Sequence, residues 1–174
     1  MNLKSLWSRL TTAIGKPATI YVAPLEIPET DYKALWPKNR EIRSIIVHHS
    51  ASAVGTTADD IRRMHTSKCP NDPSKPWTDV GYHELIEDDG KIVAGRPVER
   101  PGAGVAGHNR HTIHVCLVGD GRRGFSDAQM KSLASLLRQY RRLQPGIDIL
   151  GHNDLANTLC PAFDLHGWLR QNGF

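Results

Sequence analysis

The rhythm of hydrophobic and polar positions changes at about residue 41. From there, short apolar runs alternate with amphipathic stretches. Arg43 to His49 holds Ile45, Ile46 and Val47 in succession, the unbroken apolar run of a strand buried on both faces. Thr57 starts a helix that runs to about Ser67. Asp60, three positions on, completes a capping box, and Ile61 and Met64 are the expected core residues. Val80 to Glu87 and Lys91 to Ala94 read as two strands joined by Asp88-Asp89-Gly90, where glycine accepts the positive φ of a tight hairpin. Thr112 to Val118 supplies a further strand. Ser126 opens the longest helix with Gln129 as its box partner. Met130, Leu133, Ala134, Leu137 and Tyr140 recur on its inner face, and Arg138, Arg141 and Arg142 fall on the solvated side. Ile147 to Leu150 predicts a short strand, followed by a loop with His152 and Cys160 and a last helix near Phe163 to Arg170. This alternation predicts an α/β fold, a single domain with a mixed central β-sheet flanked by helices.

Before residue 41 the pattern is of another kind. Leu3, Leu6, Trp7, Leu10 and Ile14 recur at helical spacing, with Lys4, Arg9 and Lys16 around them. Such a basic amphipathic helix suits peripheral contact with an anionic membrane, and equally suits docking on its own domain. Lys4 and Arg9 interrupt the apolar stretch, so no cleavable secretory signal is read and synthesis in the cytoplasm is expected. Prolines at 17, 24, 28 and 37 predict an extended connector. The chain therefore divides into an extension over 1–40 and a domain over 41–174.

Composition narrows the classes without choosing among them. With 39% hydrophobic and 23% charged residues, the 174-residue chain can bury a real core. Its apolar runs fall far short of the roughly 18 residues that cross a bilayer. A net charge of +4 favours nucleic acid, anionic lipid and anionic cell-wall polymer alike. No Cys/His finger or RNP-type sequence supports nucleic acid, so none is expected as a partner. Three cysteines without a CxxC pair exclude a dense disulfide framework, and Cys69 and Cys116 are read as unpaired thiols.

Chemistry concentrates at strand ends. His48 and His49 end one strand, His152 follows another, and Cys160 lies eight positions further along the same loop. Two imidazoles and a thiolate can hold Zn²⁺ and leave its fourth tetrahedral position open, which is the form of a catalytic site. Strand neighbours point to opposite faces, so only one of His48 and His49 reaches the metal, and spacing alone does not choose between them.

Four ordered segments carry a resemblance: IIVHHSA from Ile45, DVGYH from Asp79, IHVCLVG from Ile113, and GHND from Gly151 with CPAFD from Cys160. Over about residues 41 to 170 the chain resembles the zinc-dependent N-acetylmuramoyl-L-alanine amidases, the family that unites phage lysozyme-type amidases with peptidoglycan recognition proteins. The resemblance implies His48, His152 and Cys160 as the zinc ligands, with His49 on the opposite face. It implies Tyr82 as the active-site tyrosine and gives Thr158 a supporting catalytic role, at a position where phage-type members often carry lysine. Gly102 to Asn109 resembles a loop that lines the substrate groove. Asn109 is the substrate-binding candidate there, and Gly104 stands where many members place histidine. The structural roles go to His65 and to His83, which is expected to point away from Tyr82. The implied function is cleavage of the amide between N-acetylmuramic acid and L-alanine of the stem peptide. The resemblance thus implies a phage-type endolysin that acts on the cell wall, and a monomer is expected. The rival is a non-catalytic recognition module, and Cys160 argues against it because binding-only members characteristically lose this ligand.

Overall fold

The computed structural model describes residues 36–67 and 77–174, so the expectations for the N-terminal helix, its connector and Cys69 lie outside the described residues. Five strands form one sheet: β1 (Ser44–His49), β2 (Glu84–Ile86), β3 (Ile92–Ala94), β4 (Thr112–Leu117) and β5 (Asp148–Gly151). They lie in the order β3-β2-β4-β1-β5. β1 pairs in parallel with β4 and β5, and β2 pairs in parallel with β4 and antiparallel with β3, so the sheet is mixed as expected. Among the described residues, three α-helices cover it: α1 (Ala58–Ser67), α2 (Asp127–Leu143) and α3 (Leu165–Gln171).

Alternation along the strands splits the core in two. Ile45, Val47, Ile113, Val115 and Leu117 turn one way and pack with Leu133, Leu136, Leu137 and Tyr140 of α2 and Leu165 and Leu169 of α3. Each such fully buried aliphatic side chain contributes about 1.5–3 kcal/mol. The other face packs Leu85, Cys116 and Val118 against Ala58 and Ile61 of α1. Trp36 packs against the larger cluster, and Arg40 donates to the carbonyls of Val98, Arg110 and Thr112, so the last residues before β1 already lie on the domain.

Local signals hold where local hydrogen bonds decide. Thr57 and Asp60 cap α1 reciprocally, Ser126 and Gln129 cap α2 in the same way, and Gly90 closes the β2–β3 hairpin at φ +86°. Two expectations are corrected. The strand expected over Val80 to Glu87 is ladder only at Glu84–Ile86, because the backbone before it bonds to loops. Ala103 N donates to Gly81 O and Arg96 N to Tyr82 O. Met64 is not core but half exposed, since α1 turns Ala58, Ile61 and partly buried His65 inward instead.

One column breaks the apolar rule of the sheet. Ser44, His48, Thr112 and His114 are buried polar side chains, and Thr112, His114 and Cys116 alternate along β4 on the α1 face. Buried polar groups persist when hydrogen-bonded, and the side chains of His48, Thr112 and His114 are. Among the described residues, no helix is long and apolar enough to cross a membrane.

Candidate active site

The site lies where the parallel strands β1 and β5 end, the end of such sheets at which ligands bind. His48 is 1% exposed, and its Nδ1 lies 3.7 Å from Cys160 Sγ. The His152 and His48 ring centroids are 4.8 Å apart. One ligand atom from each of His48, His152 and Cys160 fits in a group whose members all lie within 4.8 Å of one another. A small set of bonds around the GHND segment holds His152 and Cys160 close together. Asp154 Oδ2 accepts from Gly151 N at 2.7 Å and holds His166 Nε2 at 2.9 Å, while Asn153 N donates to Cys160 O at 2.8 Å.

Electrostatics leaves all three groups neutral. Burial lowers His48 well below the usual histidine range, with the neighbouring imidazoles acting the same way. Burial, then His49, lowers His152. Burial pushes the Cys160 thiol up to about 11, partly offset by His49 N–H, which donates to Sγ at 3.2 Å. Bare imidazole nitrogens and a soft sulfur without a cationic side chain beside it are the donor set of zinc, whose charge favours the thiolate. Donors sharing a tetrahedral zinc sit about 3.3–3.8 Å apart, given bonds of about 2.0–2.3 Å, and the His48–Cys160 spacing meets this. The residues fit the metal.

His49 turns away from this group, as alternation along β1 requires. Its Nδ1 accepts from Gly121 N at 3.0 Å, with Asp120 at 3.9 Å. Tyr82 stacks obliquely on His48, with centroids 5.2 Å apart. Its side chain keeps some surface in contact with solvent, yet burial raises its phenol well above the ordinary value, with the thiols of Cys116 and Cys160 acting the same way. It is therefore a proton-bearing donor throughout the neutral range. Thr158 Oγ1 accepts from Cys160 N at 3.2 Å, which shapes the turn into Cys160 and leaves the hydroxyl proton free. Asn109 Oδ1 accepts from Gly104 N and Val105 N, both at 3.0 Å, so its oxygen folds the loop over Gly102 to Asn109.

His65 and His83 take structural positions. His65 Nδ1 accepts from Gly81 N at 3.1 Å beside Trp77 and Tyr82, and buried His83 turns away from Tyr82 to donate to Arg100 O at 3.0 Å. The residue that sequence reasoning missed is His114, whose Nδ1 lies 2.9 Å from His48 Nε2. Its signal was present as polar residues at alternate positions, Thr112 and His114, in an otherwise apolar strand. Gly104 is explained here too. A Cβ at this position would lie 2.5 Å from His114 Nδ1, so an imidazole from β4 fills the space beside the loop.

The family profile for N-acetylmuramoyl-L-alanine amidase matches residues 38–163. The chain belongs to this amidase family. The endolysin of Klebsiella phage KP32 is 34% identical over 148 residues, covering 80% of this chain and 93% of the relative. The endolysin of Escherichia phage T7 is 36% identical over 137 residues, covering 74% and 86%. Among solved structures, the N-acetylmuramoyl-L-alanine amidase LysC from Clostridium intestinale URNW superposes with a TM-score of 0.66 at 26% identity, covering 76% of this chain and 86% of that one. These matches cover about three quarters of this chain and most of each relative.

Proposed function

We propose that the protein is a phage-type endolysin that hydrolyses the amide between the lactyl group of N-acetylmuramic acid and L-alanine of the peptidoglycan stem. His48, His152 and Cys160 are its zinc ligands in this reading. The convergence of these three donors from two strand ends and one loop, in a chain of the amidase family, carries it.

When bound, zinc supplies Lewis-acid polarisation of the scissile carbonyl and activation of water near neutral pH. The protein's own groups do the rest. His48 and His152 stay deprotonated at their ligating nitrogens because burial opposes their charging. Cys160 Sγ keeps the His49 N–H as a donor that favours its ionised form. Tyr82 Oη holds its proton and donates to the carbonyl oxygen as negative charge gathers there. The Thr158 hydroxyl, held by Cys160 N, gives a second and weaker donor at the same rim. Asn109 keeps the loop in place through its oxygen and offers its amide N–H to the muropeptide. In the same reading, Leu3, Leu6, Trp7, Leu10 and Ile14 with Lys4 and Arg9 give the enzyme a basic amphipathic segment for an anionic lipid surface.

Mass spectrometry of digested cell walls tests the bond. Stem peptides with a free L-alanine amine and glycans with intact lactyl groups are expected. Products that keep the sugar–peptide link, or tight binding of muropeptides without turnover by zinc-loaded protein, would overturn the reading in favour of another specificity or a recognition module.

A further inference from the structure

Behind His48 runs a row of buried groups that the reaction does not touch. His48 Nε2 meets His114 Nδ1 at 2.9 Å, His114 Nε2 meets Thr112 Oγ1 at 2.9 Å, and Thr112 Oγ1 meets the His108 carbonyl at 2.8 Å. His114 is fully buried between Gly104 and the parallel ring of His83, whose centroid is 5.7 Å away. His83 also fixes the strand, accepting at Nδ1 from His114 N at 2.9 Å. The proton positions along the row follow from one another. A carbonyl only accepts, so the single hydroxyl proton of Thr112 goes to His108. Thr112 Oγ1 can then only accept from His114, which places the His114 proton on Nε2. His114 Nδ1 is left bare and accepts from His48 Nε2–H. His48 Nδ1 is left bare in turn, facing Cys160 Sγ.

We propose that Thr112 and His114 are positioning residues that set the tautomer of His48. A hydroxyl anchored on a backbone carbonyl fixes the proton of each ring in sequence, and His48 Nδ1 is held as an open donor atom at the metal position. This inference rests on the reading of His48, His152 and Cys160 as a zinc site. An imidazole with its proton on Nδ1 cannot ligate there, so without the row part of the population would need to exchange tautomers before binding. The aligned bonds also polarise one another and raise the basicity of the ligating nitrogen. Gly104 belongs to the device, because a side chain there would lie 2.5 Å from His114 Nδ1 and 3.0 Å from His48 Nε2, on the bond itself.

Two measurements test it, neither of them activity. Long-range ¹H–¹⁵N correlation spectra of the metal-free wild-type chain are expected to show His48 and His114 each protonated at Nε2 alone. Zinc affinity, measured by competition with a chelator, is expected to fall about 10- to 100-fold in Thr112→Val and His114→Leu. It should stay close to wild type in Thr112→Ser and in His114→Asn, whose amide oxygen can take the Nδ1 position. A His48 proton on Nδ1 in the metal-free protein overturns the proposal, and so does wild-type affinity in both disruptive variants. Should His114→Leu fail to fold, the nearly isosteric Thr112→Val and the wild-type spectra still decide. A wild-type protein that bound no zinc would sink the metal reading instead, and the tautomer spectra would still settle the row.

Discussion

His48 and His49 are adjacent and chemically identical, yet β1 gives them opposite tasks. His48 points towards Cys160, while the His49 ring serves Gly121 N and its backbone N–H and carbonyl meet the Cys160 sulfur. The two alanine variants should therefore separate. His48→Ala, His152→Ala and Cys160→Ser are each expected to lose most bound zinc and nearly all hydrolysis, because a three-ligand site short of one ligand loses affinity and geometry together. His49→Ala keeps the backbone donor and should keep its zinc. Metal analysis of the purified variants checks the order, and adding zinc to metal-free protein should raise the melting temperature of wild type but not of Cys160→Ser. Tyr82→Phe removes one hydroxyl and almost no volume. Zinc and fold are expected to survive while turnover of cell walls falls roughly 10- to 1000-fold, with a smaller loss for Thr158→Ala. Unchanged turnover in Tyr82→Phe would return the phenol to a packing role.

Among the elements, α2 shows how a short motif becomes a tertiary anchor. Gln129 N donates to Ser126 Oγ at 3.0 Å to close the capping box. The Gln129 side-chain amide then donates to Ile86 O at 3.1 Å and Val118 O at 2.9 Å, the C-terminal ends of β2 and β4. Ser126→Ala should cost about 1 kcal/mol as a lost cap. Gln129→Leu also leaves the buried Val118 carbonyl without its donor, while Ile86 O keeps the Val118 N–H, and should cost about 2–3 kcal/mol, read as a shift in the urea midpoint. A Gln129→Leu cost no larger than that of Ser126→Ala would mean that the amide contacts add nothing. The same helix marks what was legible in the sequence. Ser126 with Gln129, Thr57 with Asp60, and Asp88-Asp89-Gly90 were readable because their partners lie within three residues. The extent of β2, the exposure of Met64 and the burial of Leu136 depend on which elements arrive from elsewhere, so periodicity alone could not fix them. In the site, the grouping of His48, His152 and Cys160 was legible through ordered motifs. His114 was not, because its value lies in a contact with His48 across 66 positions.

Across the whole molecule, the two faces of the sheet treat buried charge in opposite ways. On the α1 face, burial lowers His48, His83 and His114, so acid costs stability there: below about 6.5 the unfolded chain gains protons that the folded chain refuses. On the α2 face, Glu84 is buried beside Tyr140, and burial raises its carboxyl to about 8. Tyr140 Oη lies near enough to interact but closes no hydrogen bond of ordinary length. The nearby cation Arg40 spends its guanidinium on the carbonyls of Val98, Arg110 and Thr112, so among the described residues no ion pair offsets the desolvation. Glu84 therefore folds as a neutral acid. Between about 4.5 and about 8 the folded chain holds one proton more than the unfolded chain, so the stability Glu84 contributes is full below 4.5 and is lost as pH rises through 8. The slope is up to about 1.4 kcal/mol per pH unit. Glu84→Gln keeps the shape and removes the titration. The histidine contribution is common to both proteins, so the difference between their urea-derived stabilities isolates Glu84. That difference is expected to move in favour of the glutamine variant from pH 5 to pH 8 and to level off above. A difference flat with pH would show that Glu84 is ionised and solvated in the native state.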